Sequence, residues 1–280
     1  MTMEGLNGRN AVVTGAASGI GRALATRFAA AGMRVVMADI EEPALMSAAD
    51  ELAAGGAEVL PVATDVSDGE SVDALARAVE AAYGPVHLLC NNAGVGAGGL
   101  LSDLTTADWE WVLGVNLWGV IHGVRAFLPG MLAHGEAGHI VNTASLAGHV
   151  AGPFMAPYSA SKFAVVALSE TLYHEMTMAQ AAIGVSVLCP GWVNTNIHRS
   201  ERNRPEVLGG GGGGDDPRAG LLAAVLESGL APAQVAELVE GAVRDGRFYL
   251  FTHPEMMPAV AARAERIIAG ENPSIQGFAV

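Results

Sequence analysis

A chain of 280 residues with 51% hydrophobic content is sized for one α/β domain with an ample core, and a formal charge of −14 argues against nucleic-acid or anionic-membrane partners. No continuous apolar run approaches the roughly 18–20 residues of a membrane span, and Met1–Arg9 lacks a secretory pattern, so a cytoplasmic location is expected. The two cysteines, Cys90 and Cys189, each end a strand-like run and read as buried free thiols; eight scattered histidines show no metal-ligand spacing, and no metal is expected.

Asn10–Thr14 (NAVVT) reads as a strand, followed at once by the glycine-rich turn Gly15-Ala16-Ala17-Ser18-Gly19-Ile20-Gly21. A helix then begins, with Ile20, Leu24, Phe28 and Ala31 at turn spacing. Strand, turn and helix together suit a diphosphate: glycines let the backbone approach, and the helix N-terminus offers free N–H groups and positive dipole. The next strand, Arg34–Ala38, ends in Asp39, placed where a dinucleotide fold puts its ribose-reading acid. Asp39 would accept the ribose hydroxyls of NAD and repel the 2′-phosphate of NADP, and neither Ser18 nor Ile40 offers that phosphate a cation. NAD is therefore the expected cofactor.

Helix Pro43–Ala54, strand Val59–Ala63 with Asp65-Val66 after it, helix Gly69–Tyr83 and strand Val86–Cys90 continue the alternation that implies βαβ units and a parallel sheet. Asn91-Asn92-Ala93-Gly94 follows. Ala107–Leu132 reads as one long helix, with Asn116 set among apolar neighbours. That amide must bond its own backbone or hold a water; core packing and a functional role are both open. His139–Thr143 is a strand ending in Ala144-Ser145, and Ser145 is placed to donate to a substrate oxygen as charge develops there.

Ala156–Val166 (APYSASKFAVV) predicts a helix carrying Tyr158 and Lys162 one turn apart on one face. A neighbouring ammonium favours the phenolate, which equips the tyrosine as a general acid or base. Lys162 is the sole lysine among fifteen lysines and arginines, so the compact cation stands out here. Val185–Cys189 is the sixth strand, closed by Pro190-Gly191-Trp192-Val193-Asn194-Thr195. His198–Pro217 shows no helix or strand signal and contains the glycine run Gly209–Gly214, as a lid or a disordered loop would. Helices near Asp216–Ser228 and Ala233–Arg244, a strand Phe248–Phe251 and a helix Pro254–Ala269 close the chain.

Over residues 8 to about 196 these motifs resemble the classical short-chain dehydrogenases/reductases. The family's glycine signature falls on Thr14–Gly21, its N-N-A-G element on Asn91–Gly94, its catalytic tetrad on Asn116, Ser145, Tyr158 and Lys162, and its P-G-x-x-x-T element on Pro190–Thr195. The resemblance implies a single-domain, Rossmann-type doubly wound sheet of seven parallel strands in the order 3-2-1-4-5-6-7, and hydride transfer between NAD and a carbinol carbon. Residues 1–195 would form the dinucleotide-binding and catalytic core, 196–232 a substrate loop, and 233–280 a C-terminal helix-strand-helix. Tyr158 would be the acid/base, Lys162 would hold the nicotinamide ribose and lower the tyrosine's pKa, Asn116 would anchor a relay water, and Ser145 would polarise the substrate oxygen. The cofactor would lie along Gly15, Ser18, Gly19, Ile20, Gly21, Asp39, Ile40, Asp65, Val66, Asn92, Ala93, Gly94, Pro190, Gly191, Val193 and Thr195, with Tyr158 and Lys162 at the nicotinamide ribose.

His149, Phe154, Met155 and Trp192 are candidate pocket residues. With no arginine flanking Ser145 or Tyr158 to clamp a carboxylate, they suggest a hydrophobic secondary alcohol or its ketone. The C-terminal run Gly246–Pro254 is loosely similar to dehydrogenases of bulky secondary alcohols. Family members are commonly homotetramers or homodimers. A ketoreductase working the other way and a non-catalytic NAD sensor are the competing readings.

Overall fold

The computed structural model describes residues 2–3, 5–210 and 217–275. Strands β1 (Asn10–Thr14), β2 (Arg34–Asp39), β3 (Val59–Ala63), β4 (Leu88–Asn91), β5 (Gly138–Thr143), β6 (Ile183–Cys189) and β7 (Tyr249–Phe251) form one parallel sheet, ordered β3-β2-β1-β4-β5-β6-β7. The strands read as near-continuous apolar runs because both faces are covered. Alternate residues feed different cores: Val13, Val35, Met37, Leu88 and Cys90 pack on one face, and Val12, Val36, Ala38 and Leu89 on the other.

Helices α1 (Gly19–Ala30) and α2 (Glu42–Ala54) cover the first face with Leu24, Phe28 and Leu45. The second face takes α3 (Gly69–Tyr83), through Val72, Leu75 and Val79. The helix expected over Ala107–Leu132 is three pieces in the structure: α4 (Thr106–Leu113), a π-helical turn at Gly114–Trp118, and α5 (Gly119–His134). A capping box starts it, the Thr105 N–H donating to Asp108 Oδ2 at 2.7 Å.

Counted as a helix rather than as an unbroken apolar run, Thr106–His134 is long and apolar enough to cross a membrane, with a window of mean hydropathy 1.3. One side of it faces the core. Trp111, Val112, Asn116, Val120, Phe127 and Met131 are all buried.

Helix α6 (Ala156–Met178) lies beside it, and α7 (Pro217–Glu227), α8 (Pro232–Asp245) and α9 (Met257–Ala269) follow β6. Where the sequence shows no period, two 3₁₀ turns form at Ile197–Asn203 and Glu206–Leu208. Of the run Gly209–Gly214, everything past Gly210 lies outside the described residues. Both cysteines are buried free thiols.

Candidate active site

The crevice at the carboxyl ends of the strands, flanking the β1–β4 junction where the strand order reverses, opens into a cavity of about 1120 Å³. The turn after β1 forms its first wall. Gly15 has φ +67°, and a Cβ there would stand 2.8 Å from Ala93 Cα. A Cβ on Gly21 would lie 2.0 Å from the Gly15 carbonyl oxygen, so only glycine lets α1 start this close to β1. Gly21 thus supports the turn from behind and does not line the cavity; Gly15, Ser18, Gly19 and Ile20 do. The Ser18 side chain makes no cap to α1, leaving the helix's first N–H groups for a ligand.

Asp39 ends β2 with its carboxylate already ordered. Oδ2 accepts the Ala17 N–H at 2.9 Å and Oδ1 the Glu41 N–H at 3.0 Å, which fixes the acid against the glycine-rich turn. Asp39 and Ile40 line the cavity, as do Asp65 and Val66 beyond β3 and Asn92, Ala93 and Gly94 beyond β4. The Thr14 hydroxyl accepts from the backbone N–H groups of Asn92 (2.9 Å) and Ala93 (3.0 Å), joining the first and fourth strand ends. Pro190, Gly191, Val193 and Thr195 close the opposite side. A cradle cleared of side chains, free helical N–H groups and an ordered carboxylate at the end of β2 fit a dinucleotide.

Ser145, Tyr158 and Lys162 meet on the cavity wall. Pro157 in the first turn starts α6, and helical spacing puts the phenol and ammonium on one face. Lys162 is almost wholly buried; its Nζ donates to the Thr143 carbonyl at 2.9 Å and stands 5.6 Å from the Tyr158 ring centre. Burial pushes the ammonium down to about 8, with Cys189 pulling weakly the other way. Tyr158 is pushed up by burial, and its hydrogen bond with Ser145 draws it partly back. Removal from water is the larger of these two effects.

Asn116 sits in the π-helical turn beneath the site and is fully buried. Its amide reaches across to neighbouring segments rather than to its own helix. Oδ1 accepts the Val95 N–H at 2.8 Å, while Nδ2 donates to the Val95 carbonyl at 2.9 Å and to Ser161 Oγ at 3.2 Å. Ser161 in turn donates to the Tyr158 carbonyl at 2.7 Å, so Asn116 ties the segment after β4 to the tyrosine's helix.

Of the four pocket candidates, Phe154, Met155 and Trp192 line the cavity. His149 does not; it turns onto Cys189 Sγ at 3.3 Å and lies tilted against the Phe251 ring, 5.1 Å between centres. Phe154 adopts φ +65°, a left-handed conformation unusual for a bulky residue, while its carbonyl accepts the Gly99 N–H at 2.9 Å.

The cavity also gathers side chains that periodicity missed. Arg204 stacks 5.3 Å from the Trp111 ring and pairs with Asp108 at 2.7 Å; Ser200 Oγ accepts the Gly96 N–H at 3.1 Å; Arg202 reaches Glu41. The only hint in the chain was the cluster of polar residues at 198–204, which marks no partner by itself.

Comparison with known proteins agrees with this geometry. The short chain dehydrogenase family matches residues 9–206. A short chain dehydrogenase/reductase from Burkholderia phymatum, solved in complex with NAD, is 48% identical with a TM-score of 0.94, covering 97% of this chain and 98% of that one. A metagenomic short-chain oxidoreductase solved with NADP is 30% identical with a TM-score of 0.70, covering 89% and 97%. The CLA biosynthesis dehydrogenase/reductase of Lactiplantibacillus plantarum is 34% identical over 269 residues, 94% of each chain.

Proposed function

Since the chain belongs to the short-chain dehydrogenase family, we propose that it is an NAD-dependent oxidoreductase interconverting a hydrophobic secondary alcohol and its ketone, with Tyr158 as acid/base. The observation that carries this reading is the meeting of Ser145, Tyr158 and Lys162 on the wall of a crevice whose second strand ends in Asp39.

NAD, when bound, supplies the acceptor or donor of hydride. The chain's own groups manage the proton and the oxygen. In oxidation the Tyr158 oxygen takes the hydroxyl proton while Ser145 donates a hydrogen bond to the oxygen that becomes a carbonyl. Lys162, held by Thr143, presents a cation to the nicotinamide ribose. Asn116 keeps the Val95 segment and α6 in register beneath them. Asp39 accepts ribose hydroxyls and disfavours a 2′-phosphate. Phe154, Met155 and Trp192 offer an apolar lining for a substrate without a carboxylate. The arginines that reach the cavity are already paired, Arg202 with Glu41 and Arg204 with Asp108.

A second reading, ketone reduction as the working direction, draws on the raised Tyr158: a phenol kept protonated is the acid that reduction needs. Asp39 weighs against it where reductive traffic uses NADPH. Residues 196–232 serve as the substrate loop in this proposal. The location is cytoplasmic, and copies associate as a homotetramer or homodimer through the paired long helices, where Trp118, Leu132, Tyr173 and Met178 are exposed.

The test is a panel of cyclic and aryl secondary alcohols with NAD, followed by NADH absorbance, for wild type and Tyr158→Phe. The variant should bind NADH normally and lose about 10²–10⁴-fold in turnover. Full turnover in Tyr158→Phe would remove that residue from the role. Normal NADH binding with no turnover of any alcohol or ketone by wild type would favour the sensor reading.

A further inference from the structure

Asp39 is one of three charged groups at the ribose end of the crevice. Glu41, two residues on, gives its N–H to Asp39 Oδ1, and its carboxylate is gripped from across the cavity. Arg202 forms a two-pronged pair with it, Nε to Oε2 at 3.2 Å and Nη2 to Oε1 at 2.5 Å. Asn203 Nδ2 adds a third bond to Oε1 at 2.9 Å. The remaining arm of the guanidinium, Nη1, donates to the Arg199 carbonyl at 2.9 Å and faces the Asn196 carbonyl at 3.4 Å. Asp39, Glu41 and Arg202 all line the same cavity.

A guanidinium near the end of the second strand is the group that a dinucleotide fold uses to accept a 2′-phosphate. Here such a guanidinium is present, but both prongs of its fork are spent on Glu41, two residues past Asp39. Two carboxylates against one cation leave this end net negative. Breaking the pair would free a flexible, permanently charged fork whose geometry matches phosphate oxygens.

We propose that Glu41 is a positioning residue for cofactor choice: by holding Arg202 in a two-pronged pair, it keeps that cation from a 2′-phosphate, so exclusion of the phosphorylated dinucleotide depends on Glu41 acting through Arg202 as well as on Asp39. The inference rests on the dinucleotide reading proposed above.

A double-mutant cycle on the full chain tests it, with NAD and NADP dissociation constants measured by calorimetry for wild type, Glu41→Gln, Arg202→Gln and the double variant. Glutamine keeps the shape of Glu41 and an oxygen for Asn203. Glu41→Gln should tighten NADP by about tenfold, the worth of one charge-assisted contact, and leave NAD within about threefold, inside the range of an exposed ion pair. In the Arg202→Gln background the same change should bring no gain. Equal gains in both backgrounds, or none in either, overturn the proposal. A folding loss common to the variants would weaken NAD and NADP together, so the ratio of the two constants still reads the cycle, and an unchanged ratio counts against Glu41. Wild-type preference for NADP would instead overturn the Asp39 reading, which the difference between wild type and Glu41→Gln does not measure.

Discussion

The Asn116 side chain closes a ring of two hydrogen bonds with the backbone of Val95, accepting its N–H at 2.8 Å and donating to its carbonyl at 2.9 Å. Both residues are buried, so no water replaces the amide readily. Asn116→Ala would leave two backbone groups unpaired, and we expect a loss of about 2–4 kcal/mol in urea unfolding. Asn116→Asp keeps the acceptor but sets an oxygen against the Val95 carbonyl and the Ser161 hydroxyl, so it should destabilise as well. An unfolding midpoint unchanged in both variants would show that the ring does not hold the segment.

Burial lifts the Tyr158 phenol above its ordinary value, and Ser145 offsets part of that rise. The deprotonated form needed to oxidise an alcohol grows with pH. The kcat/KM for oxidation should therefore climb on the alkaline side. In Ser145→Ala that limb should move to still higher pH, and kcat should fall by about 10²–10³-fold. A limb that moved down, or stayed put with the rate reduced, would assign Ser145 to substrate contact alone.

Lys162 is charged and almost wholly buried, with one carbonyl partner at 2.9 Å. Its value falls to about 8, so the folded chain holds this proton less tightly than the unfolded chain does. The cost is present in full below about pH 8 and shrinks as pH rises from there toward the ordinary lysine value. Lys162→Met should raise the melting temperature at pH 7, where removing an unpaired buried charge is worth about 1–3 kcal/mol, while turnover disappears. The gap between variant and wild type should narrow between pH 8 and 10. A lower melting temperature for Lys162→Met would show instead that the Thr143 bond outweighs the burial.

His139 is a second buried titratable group, remote from the chemistry. Ser186 Oγ donates to the Arg247 carbonyl at 2.6 Å, so the imidazole gives Nε2–H to Ser186 at 2.7 Å, and Nδ1 has no partner among the described residues. Burial holds it down to about 3. The unfolded chain takes up this proton from about pH 6.5 downward and the folded chain does not. Stability is therefore intact above 6.5 and lost progressively as pH falls toward 3, by about 2 kcal/mol at pH 5. Urea midpoints at pH 7.5 and 5.0 should differ less in His139→Gln than in wild type; equal differences would place the acid sensitivity elsewhere.

Much of this molecule is legible wherever a local pattern carries the information. The strand ending in Thr14, the glycines behind it and the apolar period of α1 form one continuous stretch, and Tyr158 and Lys162 lie a single turn apart. What depends on chain segments far apart was not legible. His149 follows Ser145 closely, yet its direction is set by Phe251 and Cys189. The turn holding Arg202 has no period because its order comes from Glu41, 161 positions earlier. The π-helical turn at Asn116 is equally silent, since widening one turn changes no residue type. Spacing likewise shows which charges are near but not how much water each group loses.

Because Lys162 is the sole lysine of the chain, side-chain amine chemistry has a single address, reached only through the crevice. An acylating reagent small enough to enter would report on that crevice directly, with its rate slowed by any ligand seated over the ammonium. The residue that stands out in composition is thus also an internal tag for occupancy, readable from the mass of the peptide that carries it and without knowledge of the substrate.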